Sequence, residues 1–208
     1  MGKTRRFTKL NPIGTVVAKL KEKNKIMKKI IMLTIGTVFC SSVFAQIYMA
    51  KECQISFFSK TSMEDIYGVN KITKPLLNTM TGDIQMRIVL TQFIFDSPLM
   101  QEHFNENYVE SEKFPTCEFK GKINEEVDYT KDGVTKVTVT GKLKLHGVEK
   151  EKTIPGTVTV KGKQVIISAK FMMHIADYDI KVPSLYVTTI AEDMETKIDA
   201  TLEPYKKN

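Results

Sequence analysis

SPLMQEHFNENYVESEKFPTCEFKG, residues 97–121, contains two different periods, and the change between them decides the fold. Ser97 is a good N-cap and Pro98 suits the first helical position, after which Leu99, Met100, His103 and Phe104 recur at helical spacing. These features predict one short helix over Ser97 to Val109. Beyond Pro115, Cys117, Phe119, Gly121 and Ile123 alternate with Glu118, Lys120 and Lys122, the period of a strand with one buried face. The helix therefore interrupts a chain that otherwise reads as strand. With no helical neighbour, its apolar face must pack against the sheet or cover one end of it, as a lid or plug.

Strand signals continue on both sides. Upstream, Gln54 to Ser59 and Met63 to Asn70 read as short strands, and Gly82 to Phe95 as the longest. Ile84, Met86, Ile88 and Leu90 share a face, but Phe93 and Phe95 fall in the opposite phase; one extra residue, a bulge or sharp bend near Thr91 and Gln92, reunites them. Downstream, Asp132-Gly133 predicts a hairpin turn and Lys161-Gly162-Lys163 a second one. Val137, Val139, Leu143 and Leu145 face one way; Ile154, Val158 and Val160 follow, then Val165, Ile167, Ala169, Phe171 and Met173. Met194, Ile198, Ala200 and Leu202 mark the last strand.

About eight strands with one apolar face each must bury that face without leaving open edges. Closure into an antiparallel eight-stranded barrel does so, and at that size the interior is filled by side chains or holds one elongated ligand. A two-sheet sandwich is the alternative. Gly141 and Gly156, both in the inward phase, favour the barrel because small residues there permit sharp curvature.

HFNENY, SEKFP and EFKG within residues 103–121, followed by GKLKLHG at Gly141 to Gly147, resemble the YceI-like family, in the same order and over Ile55 to Pro204. The resemblance implies an exported, lipocalin-like β-barrel that binds polyisoprenoid-type lipids, and it suggests a dimer. Against that pattern the opening strand looks short, with Gln46 to Ala50 in place of a longer one, and the edge so left is one place for a dimer to form.

The charge divides unevenly. Residues 1–45 hold ten of the 31 Lys and Arg and one of the 24 acids, a net of +9; residues 46–208 hold 21 and 23, a net of −2. The basic excess belongs to the leader, which removes the simplest argument for nucleic acid. Lys142, Lys144, Lys150 and Lys152 alternate with or flank apolar residues and read as a solvated barrel exterior. From Met27, MKKIIMLTIGTVFCSSVFAQ has a basic start, an apolar run too short for a span, and small residues before Gln46, the anatomy of a secretory signal peptide. The expected organisation is a disordered upstream extension over 1–26, with Met27 as initiator, a signal peptide over 27–45 and one barrel domain over 46–208. Once exported, the chain keeps Cys53 and Cys117, both in inward phases; either two buried thiols or a disulfide fits.

Catalytic and metal signals are weak. His103, His146 and His174 sit on separate elements without ligand spacing, and Cys117 in mid-strand reads as inert core. Asp177, Asp179, Glu192, Asp193 and Glu195 read as solvated loop acids, their spacing unlike a calcium loop. What the interior offers is apolar volume. Phe57, Met86, Ile88, Leu90, Phe93 and Phe95 are candidates to line it, with Phe104, Phe119, Leu143, Ile167, Phe171 and Met173. Such a stripe also serves as packed core; the family resemblance turns the balance toward a bound polyisoprenoid or isoprenoid quinone. Arg87 and Lys122, considered for a head group, fall in the outward phase. The expected function is non-enzymatic lipid binding, against a packed barrel acting as an envelope stress or interaction module, and an enzyme using Cys117 or the histidines.

Overall fold

Alternation of apolar and polar residues, interrupted by one bulge in the first strand, underlies β1 (Ile47–Ser59), β2 (Ile66–Asn70), β3 (Leu76–Asn78), β4 (Asp83–Val89) and β5 (Ile94–Phe95). It continues in β6 (Thr116–Ile123), β7 (Gly133–Leu145), β8 (Val148–Lys161), β9 (Gln164–His174) and β10 (Asp193–Pro204). The structure is a computed structural model that describes residues 47–60, 65–181 and 193–205, together with Lys23. The chain divides into Met1–Phe44 and Ala45–Asn208. Of the first unit only Lys23 is described, so the rest of the expected extension, the signal peptide and Cys40 lie outside the described residues, as do residues 63–64 of the expected second strand and Glu192.

Antiparallel neighbours run β10-β9-β8-β7-β6-β4-β3-β1, and β1 pairs back onto β10 from Tyr48 to Phe58, which closes a barrel of eight staves. The two remaining strands continue broken staves. Ile47 pairs Asn78 and Ile55 pairs Asn70 in a single register along one edge of β1, so β3 and β2 are two pieces of one stave interrupted at residues 71–75. Fully buried Asn70 organises the break. Its Oδ1 accepts from Thr73 Oγ1 at 2.9 Å and from the Ile72 and Thr73 amides at 3.1 and 3.2 Å, while its Nδ2 donates to the Val89 carbonyl at 3.2 Å. That last bond reaches the second broken stave. There a 3-10 turn over Leu90–Gln92 separates β4 from β5 and turns Phe93 and Phe95 inward beside Leu90, the bend expected from the phase change.

The opening strand differs from expectation. β1 has 13 residues rather than starting at Gln54, and a bulge between Ala50 and Glu52 shifts the inward phase from Ala50 to Cys53, which hides the strand from a strict alternation count. Paired to β10 on one side and to β3 and β2 on the other, it leaves no short edge of the kind considered for a dimer. Asp132-Gly133 also differs, because it does not close a two-residue hairpin. Glu125 accepts from the Thr138 amide at 2.6 Å and Asn124 donates to Thr138 and Thr140 hydroxyls, so a loop covers that stretch of β7 while Asp132 accepts from the Gly162 amide at 2.7 Å. Gly162, at φ +59, does form the tight turn between β8 and β9.

Curvature depends on one glycine pair. Gly121 faces Gly141 across β6 and β7, and a Cβ on Gly141 would come within 2.3 Å of Gly121 Cα and of the Lys120 carbonyl oxygen. The helix α1 (Pro98–His103) starts as its sequence dictates, with Ser97 Oγ accepting from the Met100 amide at 3.3 Å and Pro98 in the first turn. It runs on into a π turn over Phe104–Tyr108. Inside the barrel, one half is tightly packed: Leu77, Val158, Val165, Ala200 and Leu202 are 0–3% exposed, and none of them lines the cavity of the other half.

Candidate functional site

The other half of the barrel, under α1 and the π turn, encloses a cavity of about 110 Å³. β1 contributes Ile55 and Phe57; β4 contributes Met86 and Ile88, followed by Leu90, Phe93 and Phe95 beyond the bend. Phe104 enters from above. Its ring lies 5.4 Å from Phe57, 5.6 Å from Phe93 and 4.9 Å from Phe95, so one residue of the cap completes a four-ring cluster inside the barrel. Gly68 of β2 makes this geometry possible, because a Cβ there would stand 2.6 Å from the Phe57 ring.

Phe119, Leu143, Phe171 and Met173 complete the expected lining. Ile167 is placed elsewhere: it is buried but belongs to the solid half, opposite Ala200 and Val158. The structure adds residues that were not among the expected lining. Met100, Tyr108 and Val109 come from the helix and its exit, Ile175 and Ile180 from a 3-10 turn (Ile175–Tyr178) and the chain beyond it, and Met194 and Thr196 from β10. Val109 and Ile180 lie outside the regular elements, where periodicity gives no signal. Met100 and Met194 were marked in the sequence as helix face and strand face, but nothing in their spacing distinguishes a cavity wall from packed core.

Among the described residues no charged side chain lines the cavity; Thr196, Tyr108 and Cys117 are its polar members. Burial pushes the Cys117 thiol up to about 12, with the Glu118 carboxylate adding to it, and burial raises Cys53 to about 11. Both thiols are free and buried. A thiol so disfavoured as thiolate is no nucleophile at neutral pH. The three histidines do not gather: His146 bonds Glu110 and the Tyr178 carbonyl, His174 pairs with Asp193 at 3.0 Å, and His103 ends α1. No group of three or more metal-ligating side chains occurs among the described residues.

The charged groups noted in the sequence lie outside. Arg87 pairs with Glu118 on the exterior and Lys122 is exposed, so neither reaches the cavity. Lys142 pairs with Glu149, Lys150 with Asp177 and Glu195 with Lys170, each within 2.9 Å. These exposed pairs contribute little to stability, but they account for the lysine stripe and part of the acidic scatter as barrel exterior. No helix among the described residues is long and apolar enough to cross a membrane.

The barrel fold has counterparts among solved structures. A polyisoprenoid binding domain from Saccharophagus degradans, implicated in plant cell wall breakdown, is 14% identical and superposes with a TM-score of 0.66, over 77% of this chain and 99% of that one. BcnA from Burkholderia cenocepacia is 17% identical with a TM-score of 0.61, over 72% and 95%. A Campylobacter jejuni YCEI protein is 14% identical with a TM-score of 0.51, over 62% and 78%. At such identities the likeness concerns the fold. No curated protein matches the sequence. The family model described as the YceI-like domain matches residues 50–202, from buried Ala50 in β1 to buried Leu202 in β10. A match spanning the whole barrel makes this chain a member of the YceI-like family.

Proposed function

We propose that the protein binds an isoprenoid or quinone-like lipid chain in the capped half of its barrel, and does so without catalysis. The observation that carries this reading is a cavity walled by apolar side chains, bare of charge among the described residues, with a helix rather than a strand as its cover. Each methylene moved from water into such a wall gains about 0.8 kcal/mol, so a chain of a few isoprene units has ample drive to bind without any ionic contact. The polyisoprenoid binding domain with the same fold supports the choice of ligand class. Residues 27–45, read as a signal peptide, support an exported protein acting in the envelope, with 46–208 as the working domain.

The size of the cavity sets a condition. About 110 Å³ is well under the roughly 300–1,000 Å³ of ordinary ligand pockets, so a long chain requires side chains to move. Met86, Met100, Met173 and Met194 line the wall, and unbranched thioethers are the side chains that re-pack at least cost. The same small volume favours a second reading, a packed barrel that acts as an interaction module. Native mass spectrometry with organic extraction, on protein purified from its own envelope without detergent, separates the two. A stoichiometric adduct that fragments as an isoprenoid is expected; a clean protein mass, with no uptake of added isoprenoid or quinone, establishes the packed module instead.

A further inference from the structure

His146 stands in the turn between β7 and β8, its side chain only 10% exposed, and both ring nitrogens meet oxygens. Nδ1 lies 3.0 Å from the Tyr178 carbonyl and Nε2 lies 2.9 Å from Glu110 Oε2. A carbonyl oxygen only accepts, and so does an ionised carboxylate; the two bonds therefore coexist only while the ring carries both protons. The partners are not arbitrary. Glu110 follows the π turn that carries Phe104, Tyr108 and Val109 into the cavity, and Tyr178 ends the turn that carries Ile175. One imidazole thus ties two cavity-lining segments to the barrel.

Backbone strain collects at the same junction. Among the described residues the non-glycine positions with left-handed backbone are Glu110 (φ 43), His146 (φ 50) and Asp179 (φ 55): the two bonded residues and the neighbour of the third. Such conformations persist only where their surroundings hold them. Phe114 packs its ring edge-on against His146 at 4.5 Å, closing a face of the imidazole to water.

We propose that His146 and Glu110 form a proton-operated latch on the cap: the doubly protonated ring holds the cap shut, and loss of one proton frees an arm and speeds ligand exchange. The proposal rests on the binding reading above and adds its regulation. Glu110 stays ionised in this arrangement, since hydrogen bonds from Lys113 first and His146 second hold its carboxyl below the usual range. Among the described residues, the other charged groups on the facing segments pair with Glu110 itself or with one another, or are set back. Lys113 pairs with Glu110 at 2.7 Å, Lys150 with Asp177 at 2.9 Å and Glu149 with Lys142 at 2.9 Å; Glu112 and Asp179 are exposed. The Tyr178 phenol, pushed up to about 12 chiefly by burial, keeps its proton throughout.

The test is stopped-flow release of N-phenyl-1-naphthylamine, a neutral apolar fluorophore, from the full chain between about pH 5 and pH 8.5. Release is expected to quicken by on the order of tenfold as the His146 ring, followed by NMR, loses its proton. His146→Asn, a residue tolerant of left-handed backbone, should release fast at every pH. Glu110→Gln should do the opposite. Its amide can donate to the Nε2 of a neutral ring, so the latch stays closed and release stays slow to high pH. A wild-type rate that is flat while the ring titrates, or a Glu110→Gln profile that follows wild type, overturns the latch. Should the fluorophore not bind at all, the binding reading is decided separately by the uptake of added isoprenoid or quinone. The latch is then decided by amide exchange protection of residues 98–109, which must fall as the ring deprotonates and must not fall in Glu110→Gln.

Discussion

The Phe57 and Phe104 rings stack 5.4 Å apart and 24° from parallel, one fixed to the barrel wall and the other to the cap. Phe104 is thereby both a stabilising contact and the residue that most directly fills the space below the helix. Truncation to alanine should separate these roles. Phe104→Ala is expected to lower stability by about 3 kcal/mol, the low end for a buried phenylalanine because its site borders existing free space. Uptake of N-phenyl-1-naphthylamine by the same variant should rise. A loss of stability with unchanged or reduced uptake would mean that the ring serves packing alone; urea unfolding and fluorescence titration on one preparation decide it.

Gly141 offers a sharp test of the closed barrel. A Cβ there meets the Lys120 carbonyl oxygen and Gly121 Cα, both at 2.3 Å, and neither belongs to a side chain that can swing away. Gly141→Ala should cost about 3 kcal/mol or more, since the strands themselves must separate. Gly133, at the start of β7, has nothing within 4 Å of the same position. Gly133→Ala should therefore change stability by less than about 0.5 kcal/mol. Similar effects from the two substitutions would show that β6 and β7 do not approach as described.

Much of this architecture was legible because the barrel's closure and the strand pattern have one cause. An inward apolar phase at Phe119, Leu143 and Ile198 can be read residue by residue, and the phase break before Phe93 announced the bend. Asn70 was not legible. Its role depends on a carbonyl 19 positions away, and in the sequence it is one more polar residue at a strand end. The length of β1 is hidden for a related reason: the bulge at Lys51 and Glu52 breaks the alternation that would reveal a long strand. Within the site, alternation identified which residues face inward but could not tell the solid half of the barrel from the hollow one. Ile167 and Phe171 share a strand and a phase, yet only Phe171 borders the cavity.

Acid should weaken the loop over β7 in a predictable direction. The Glu125 carboxyl is held below its ordinary value, chiefly by the Thr138 amide and then by the Thr138 hydroxyl. A carboxyl lowered on folding stabilises the fold above its unfolded-state value, about 4.3, and that contribution disappears as pH falls through the lower folded-state value. The difference in urea midpoint between wild type and Glu125→Ala should hence have a pH-dependent part, constant above about pH 5 and shrinking on the way to pH 3. A difference that grows in acid would reverse the sign and place the carboxyl in a different environment.

The thiols discriminate most directly against an enzyme. Cys117 borders the cavity at 5% exposure with its thiol pushed up to about 12, so at pH 8 the thiolate that could attack is scarce. Cys53, raised to about 11, is scarcely better. In a Cys40→Ser chain, a disulfide reagent such as dithionitrobenzoate should therefore find no thiol within minutes at pH 8 while the protein is folded, and two once it is unfolded in guanidinium. Unfolding with no thiol released would reveal a disulfide between two cysteines that are free in the structure. Rapid reaction of a single thiol in the folded protein would require an exposed, activated cysteine, and Cys117 would then have to be reconsidered as a nucleophile rather than as part of an apolar wall.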